Sequence, residues 1–219
     1  MPTGKYGRHL WLRRASVVAG LAIFGLLLAF LPAEGPFAFD MRVMAWARSL
    51  REPVTTEVMT IITLLGNGPT LGLLTGVGTL LIFARSMRWA AFFAVAMTGT
   101  AALNQGLKWL IARTRPTASE ALASAGGYAF PSGHAMGTCS LFLALFFVVR
   151  ALFPRLQPGA AAVGGALAGL VGWSRVYLGV HYPTDVVAGW ATSTAWVVLL
   201  QSWTHTADPR SIDEAEAGG

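Results

Sequence analysis

The sequence predicts an all-α fold: a polytopic membrane protein with six transmembrane helices and short outer-face helices between the first and second. Three observations predict it. Hydrophobic residues fill 54% of the 219 positions and charged residues only 12%, against about 25% charged residues in an average soluble domain. The mean hydropathy is +0.56. Apolar stretches recur at 15–31, 69–84, 89–110, 134–149, 159–173 and 184–203, and a spanning helix needs about 20 mostly apolar residues. This composition excludes an ordinary water-soluble domain.

The first stretch follows Lys5, Arg8, Arg13 and Arg14. A charged start also suits a secretory leader, but the apolar run is long and the Pro-Ala-Glu-Gly sequence at 32–35 is a poor cleavage site, so a retained transmembrane helix is expected. The connection 37–68 is long and helically patterned. Asp40 suits the start of a helix through Met44 and Trp46 to Leu50, and Pro53 the start of another through Val58 and Ile62. Both are expected to lie at the membrane surface. The stretches at 69–84, 134–149 and 159–173 are short for a span, so their helices extend into the flanks or sit where the bilayer thins. Gly68, Gly72 and Gly76 recur every four residues, as do Gly165 and Gly169. That spacing lets membrane helices approach closely, which predicts packing seams. Cys139, the only cysteine, falls in the fourth stretch and reads as a small buried hydrophobe. Beyond Trp203 the chain turns acidic at Asp208, Asp213, Glu214 and Glu216 and is expected to be disordered. The organisation is then a cytoplasmic basic segment at 1–14, a membrane domain at 15–203 and a cytoplasmic tail at 204–219.

Basic residues in short loops set orientation. The N-terminal cluster, the Arg85 and Arg88 turn and the Arg150 and Arg155 turn fall on one side, expected to be the cytoplasm. Much of the net charge of +6 is this collar, which suits anionic lipid headgroups and gives no reason to expect nucleic acid. The opposite face holds Lys108, Arg113 and Arg115, which break the positive-inside tendency. Three cations there are easier to explain by an anionic ligand than by topology.

Three polar blocks interrupt the apolar chain on that face, and ionisable groups beside bilayer-length segments mark a functional site by default. Lys108 and Arg115 are seven residues apart and share a face if the third helix runs to Thr114 before Pro116 stops it. An Arg fork matches phosphate oxygens and Lys adds a point charge; a snorkelling pair at a helix end has the same pattern. In the block Pro131, Ser132, Gly133, His134, Ser132 suits an N-cap and Gly133 leaves the backbone open to a ligand at an amide-rich helix end. An ordinary capped helix with a polar His134 fits too. In the third block Arg175 ends a helix, Gly179 permits a turn, and His181 precedes Asp185 by four residues. A carboxylate so placed can take the ring N–H and stabilise an imidazolium or phosphorylated ring, or simply pin the turn as a buried pair.

Together and in this order, Lys-x6-Arg-Pro, Pro-Ser-Gly-His and Ser-Arg-x5-His-x3-Asp resemble the three-part signature of the type 2 phosphatidic acid phosphatase superfamily, over residues 108 to 185. The helix pattern outside that stretch is similar to the bacterial membrane-bound members. The resemblance implies a metal-independent phosphatase working by double displacement. His181 is then the nucleophile, Asp185 its orienter, and His134 the acid and later the base. Lys108, Arg115, Arg175, Ser132 and the Gly133 amide bind the phosphate oxygens. No metal or other cofactor is expected: there are four histidines, two of them (His9 and His205) at expected cytoplasmic ends, and no dense acidic cluster on the outer face.

An outer-face site at the membrane boundary suits an amphiphile whose tails stay in the surrounding lipid. The expected substrate is therefore a lipid phosphate or pyrophosphate, foremost undecaprenyl pyrophosphate or phosphatidylglycerol phosphate, with phosphatidic and lysophosphatidic acid as alternatives. The signature touches only the phosphate and does not separate these. A phosphotransferase or a phosphatase of soluble esters fits the same signature. A non-enzymatic lipid-phosphate binder needs the cations but not His134, His181 and Asp185. The expected location is the plasma membrane, with the site facing outward.

Overall fold

The computed structural model describes residues 5–32, 35–117, 119 and 121–206. Among them the chain forms eight α-helices and no strand: α1 (Lys5–Ala29), α2 (Ala38–Ser49), α3 (Pro53–Thr63), α4 (Gly68–Phe83), α5 (Met87–Ile111), α6 (Gly133–Leu152), α7 (Gln157–Tyr177) and α8 (Pro183–Thr206). Single 3-10 turns lie at Leu64–Gly66 and Pro154–Leu156. All six apolar stretches fall on helices, and the 37–68 connection is two helices as its pattern predicts. Most of the acidic tail, 207–219, lies outside the described residues.

By length and apolarity, Trp11–Ala29 and Gly133–Leu152 each suffice to cross a membrane, and Pro53–Gly66 with Gly68–Phe83 makes a further apolar path bent by 49°. Helices α5, α7 and α8 are more mixed because they carry inward polar groups. Thr100, Ser174, Arg175, Asp185, Ser193 and Gln201 are all buried. Large apolar side chains such as Leu21, Leu26, Leu73, Leu80, Leu81 and Val163 face outward instead. That inversion of an aqueous surface is the mark of a protein solvated by lipid.

Two packed regions fix the bundle. Phe92, Phe93 and Met97 of α5 meet Leu141 and Phe147 of α6 and Val197 of α8 in the larger core. At the other end Met44 and Ala47 of α2 pack with Ala135, Val176, Tyr182 and Val186, so α2 roofs the helix ends that carry the polar blocks. The turn between α2 and α3 is tied down by Arg51, which donates to the carbonyl of Tyr177 at 3.1 and 2.8 Å. A cation there satisfies a C-terminal carbonyl of α7 and complements its dipole. At the opposite end Arg85 lies 5.7 Å over the ring of Phe153, which brings the two basic turns together.

Two local expectations are corrected. Helix α5 stops at Ile111, because Ala112 takes a left-handed conformation (φ 49°) as its C-cap. Arg115 therefore reaches the site from a loop and shares no helical face with Lys108. The glycines at 68, 72, 76, 165 and 169 are not packing seams either, since a Cβ at any of them would meet nothing within 4 Å. Close approach happens at other glycines. At Gly189 a Cβ would lie 3.0 Å from the Ser132 carbonyl, so the starts of α6 and α8 nearly touch.

Candidate active site

That near contact brings the second and third polar blocks together, and the Ser132 amide donates to the Asp185 carbonyl at 2.9 Å across it. The loop after α5 folds over the same point. The result is a cavity of about 510 Å³ walled by Lys108, Arg115, Gly133, His134, Arg175 and His181. Six of the eight residues singled out from the sequence thus surround one cavity. Asp185 stands behind His181, completely buried. Ser132 is also completely buried and off the cavity wall, its hydroxyl accepting from the Ala135 amide at 3.5 Å as the N-cap of α6.

His181 is 2% exposed and its two ring nitrogens have distinct partners. Arg115 Nη1 lies 3.0 Å from Nε2. A guanidinium can only donate, so Nε2 must accept and the ring proton sits on Nδ1. Nδ1 faces Asp185 Oδ2 at 3.4 Å. Burial, followed by the charge of Arg115, holds the His181 pKa well below the usual imidazole range. The ring is therefore neutral at physiological pH, with a lone pair on the nitrogen that borders the cavity.

Cations fill the rest of the wall. Arg115 is braced by the carbonyls of Gly126, Gly127 and Val180 at 2.8 to 2.9 Å. Lys108 donates to the Tyr128 carbonyl. Arg175 donates to Thr63 Oγ1 at 2.7 Å, while its buried Nε has no protein partner. A buried donor left unpaired is costly, and an oxyanion in the cavity is the natural acceptor. On the far wall His134 Nε2 is 2.7 Å from Asn67 Oδ1. Gly66 leaves room for that ring, since a Cβ there would meet it at 2.8 Å.

Three contributors were not singled out as site residues. Asn67 orients His134, and Asp40 and Arg113 form buried ion pairs behind Asp185. Arg113 was visible only as a cation out of place, and Asp40 only as a helix start. Asn67 carried no signal.

A second cavity, about 660 Å³ and mostly apolar, opens between α4, α5 and α6, and shares Gln105, Gly133 and His134 with the first. Gly68, Gly72 and Gly76 line it. The stripe of small residues is a floor rather than a seam.

Cations and a neutral histidine that converge on one cavity of a helical membrane protein are the groups that phosphoryl transfer uses, which defines the class as a candidate membrane phosphatase. Comparison gives the family: the PAP2 superfamily model matches residues 89–209. The chain is 34% identical over 185 residues to phosphatidylglycerophosphatase B of Bacillus subtilis, covering 82% of this chain and 90% of that protein. It is 29% identical over 136 residues to an undecaprenyl-diphosphatase of Sulfolobus acidocaldarius, covering 59% of this chain and 62% of that one. The crystal structure of the transmembrane PAP2-type phosphatidylglycerolphosphate phosphatase from Bacillus subtilis superposes with a TM-score of 0.82 at 27% identity, over 89% of this chain and 98% of that one. The chain belongs to the PAP2 superfamily and is a phosphoric ester hydrolase.

Proposed function

We propose that this protein is a lipid phosphate or pyrophosphate phosphatase that works through a phosphohistidine intermediate on the outer face of the plasma membrane. The observation that carries the reading is the His181 ring, with its Nε2 lone pair bordering a cavity walled by Lys108, Arg115 and Arg175 and its Nδ1–H toward Asp185.

In the first step Arg115 turns its Nη1–H from His181 Nε2 to a phosphate oxygen, the freed Nε2 lone pair attacks phosphorus and the bond to the leaving oxygen breaks. His134 supplies the proton that oxygen needs. Asp185 stabilises the positive charge that appears on the His181 ring. In the second step His134 takes a proton from water, the hydroxide attacks phosphorus, and the P–N bond breaks to return neutral His181 and free phosphate. Lys108, Arg115, Arg175 and the Gly133 amide hold the equatorial oxygens, where preorganised donors contribute most as charge develops. Ser132 acts by capping α6, which aims the first amides of that helix at the anion. The cations do the charge neutralisation that a metal does elsewhere, so the cycle runs without one.

The shared wall of the two cavities supports a lipid substrate: the phosphate occupies the polar one and a hydrocarbon chain the apolar one. Undecaprenyl pyrophosphate and phosphatidylglycerol phosphate are the favoured substrates, in line with the activities named for the two relatives. Phosphatidic acid is the alternative. The six long helices α1, α4, α5, α6, α7 and α8 are the spans. The basic turns at Arg85 and Arg155 and the N-terminal segment 1–14 face the cytoplasm, as does the tail at 204–219, while α2 and α3 lie on the outer face over the site. The test is phosphate release by purified protein in excess chelator from these three lipids and a soluble aryl phosphate. Release from the lipids that disappears in His181→Ala supports the reading; wild-type protein that releases phosphate from none of them overturns it.

A further inference from the structure

Behind Asp185 lies a buried cluster that no step above uses. Arg113, 7% exposed, sits between two carboxylates. Its Nη2 pairs with Asp40 Oδ2 at 2.9 Å and its Nη1 with Asp185 Oδ1. Nη1 also donates to Thr184 Oγ1 at 2.8 Å. Asp40, completely buried, takes the Thr184 amide at 3.0 Å and the Thr184 hydroxyl at 2.8 Å. The Tyr182 ring stacks 4.4 Å from the guanidinium carbon. The cluster joins α2, the loop after α5 and the start of α8.

Its charge does not balance: one guanidinium meets two carboxylates. An arginine facing Asp185 alone would cancel the charge that Asp185 must present to a positive ring. Asp40 shares that arginine, so the cluster keeps one negative charge in excess beside His181 Nδ1. The groups facing His181 from the other elements are Lys108 of α5, Arg115 of the loop and Arg175 of α7, with the His134 ring of α6. All of these charges oppose a cation on His181. The excess behind Asp185 is what offsets them.

We propose that Asp40 and Arg113 are positioning residues. They form a clamp that fixes Asp185 against His181 and preserves one negative charge for the phosphorylated ring. Arg113 occupies Asp185 Oδ1 and leaves Oδ2, which also accepts the Tyr182 amide at 2.9 Å, as the oxygen facing His181. The inference rests on the histidine-phosphatase reading and deepens it.

The test is the pH dependence of kcat and kcat/KM for phosphate release from dioctanoyl phosphatidic acid, with thermal unfolding of each variant alongside. Asp40→Asn removes the excess charge, so protonating His181 becomes harder and the acidic limb of kcat/KM moves to lower pH by about half a unit to one unit. Its kcat falls by about tenfold to a hundredfold while KM changes by less than about threefold. Arg113→Gln leaves two carboxylates unpaired and moves the limb to higher pH. The double variant returns the limb close to the wild-type position, and substrate ionisation is common to all four proteins. Opposite shifts support the clamp; unmoved limbs, shifts of one sign, or a change confined to KM or the melting temperature overturn it. If only one single variant folds, the sign of its limb decides. A wild type that releases no phosphate defeats the phosphatase reading and the clamp with it, whereas an active wild type with unmoved limbs defeats the clamp alone.

Discussion

Filling the glycine floor tests the lipid reading without touching the phosphate site. Gly68 and Gly76 are eight residues apart and both line the apolar cavity, a span of about 12 Å along the helix. A hydrocarbon chain lying there buries on the order of eight methylenes at about 0.8 kcal/mol each. Gly76→Leu blocks the far half, since nothing lies within 4 Å of a Cβ at that position to turn the side chain away. Losing about four methylenes costs about 3 kcal/mol, and chain-ordering costs reduce this to a fall of about tenfold to a hundredfold in kcat/KM. The fall is confined to long-chain substrates. The assay compares undecaprenyl pyrophosphate or a long-chain phosphatidic acid with dibutyryl phosphatidic acid, whose chains end short of Gly76. An equal loss for both substrates, or no loss for either, refutes chain binding along α4.

Three further outcomes follow from the site geometry. The Arg115 charge, centred on the carbon behind an Nη1 that lies 3.0 Å from the ring nitrogen, is worth up to about 4 kcal/mol at an effective dielectric of 20, and partial exposure cuts this to about 1 to 2 kcal/mol. Arg115 holds the His181 pKa down, so Arg115→Gln lets it rise and moves the acidic limb of kcat/KM up by about one pH unit, with a loss of about a hundredfold or more in rate. A limb that stays put or moves down contradicts the assignment. The same depressed pKa means the unfolded chain binds a proton the native ring refuses, so stability falls as pH drops below about 6.5. Gly66→Ala drives a methyl to within 3 Å of the His134 ring and of Val171 Cγ1. It should lower the melting temperature by an overpacking cost of about 1 to 3 kcal/mol and reduce kcat, read by calorimetry and by single-turnover assay.

How much of this was legible in the sequence depends on the range of the interaction. The long apolar stretches, the cap at Ser132, the turn at Gly179 and the four-residue spacing of His181 and Asp185 are local, and they read directly. The Asp40–Arg113 pair spans 73 positions and the His134–Asn67 pair spans 67. No periodicity encodes such contacts. Spacing alone cannot foresee that α5 ends in a left-handed Ala112, because alanine is a strong helix former and Pro116 offers a more obvious stop. The glycine stripe misled for a related reason. Small residues at helical spacing permit a neighbouring helix or an open channel equally well, and only the packing of α4 against α5 and α6 selects the channel.

The central claim is that phosphate passes through His181 without a metal. The most direct measurement is rapid acid-free quenching of the purified protein with radiolabelled phosphatidic acid in excess chelator, followed by analysis of label bound to the chain. The account predicts a transient, acid-labile and alkali-stable phosphoryl label at His181, formed no slower than phosphate is released and missing in His181→Ala. Phosphate release that needs a divalent cation, or that continues in His181→Ala, would contradict it.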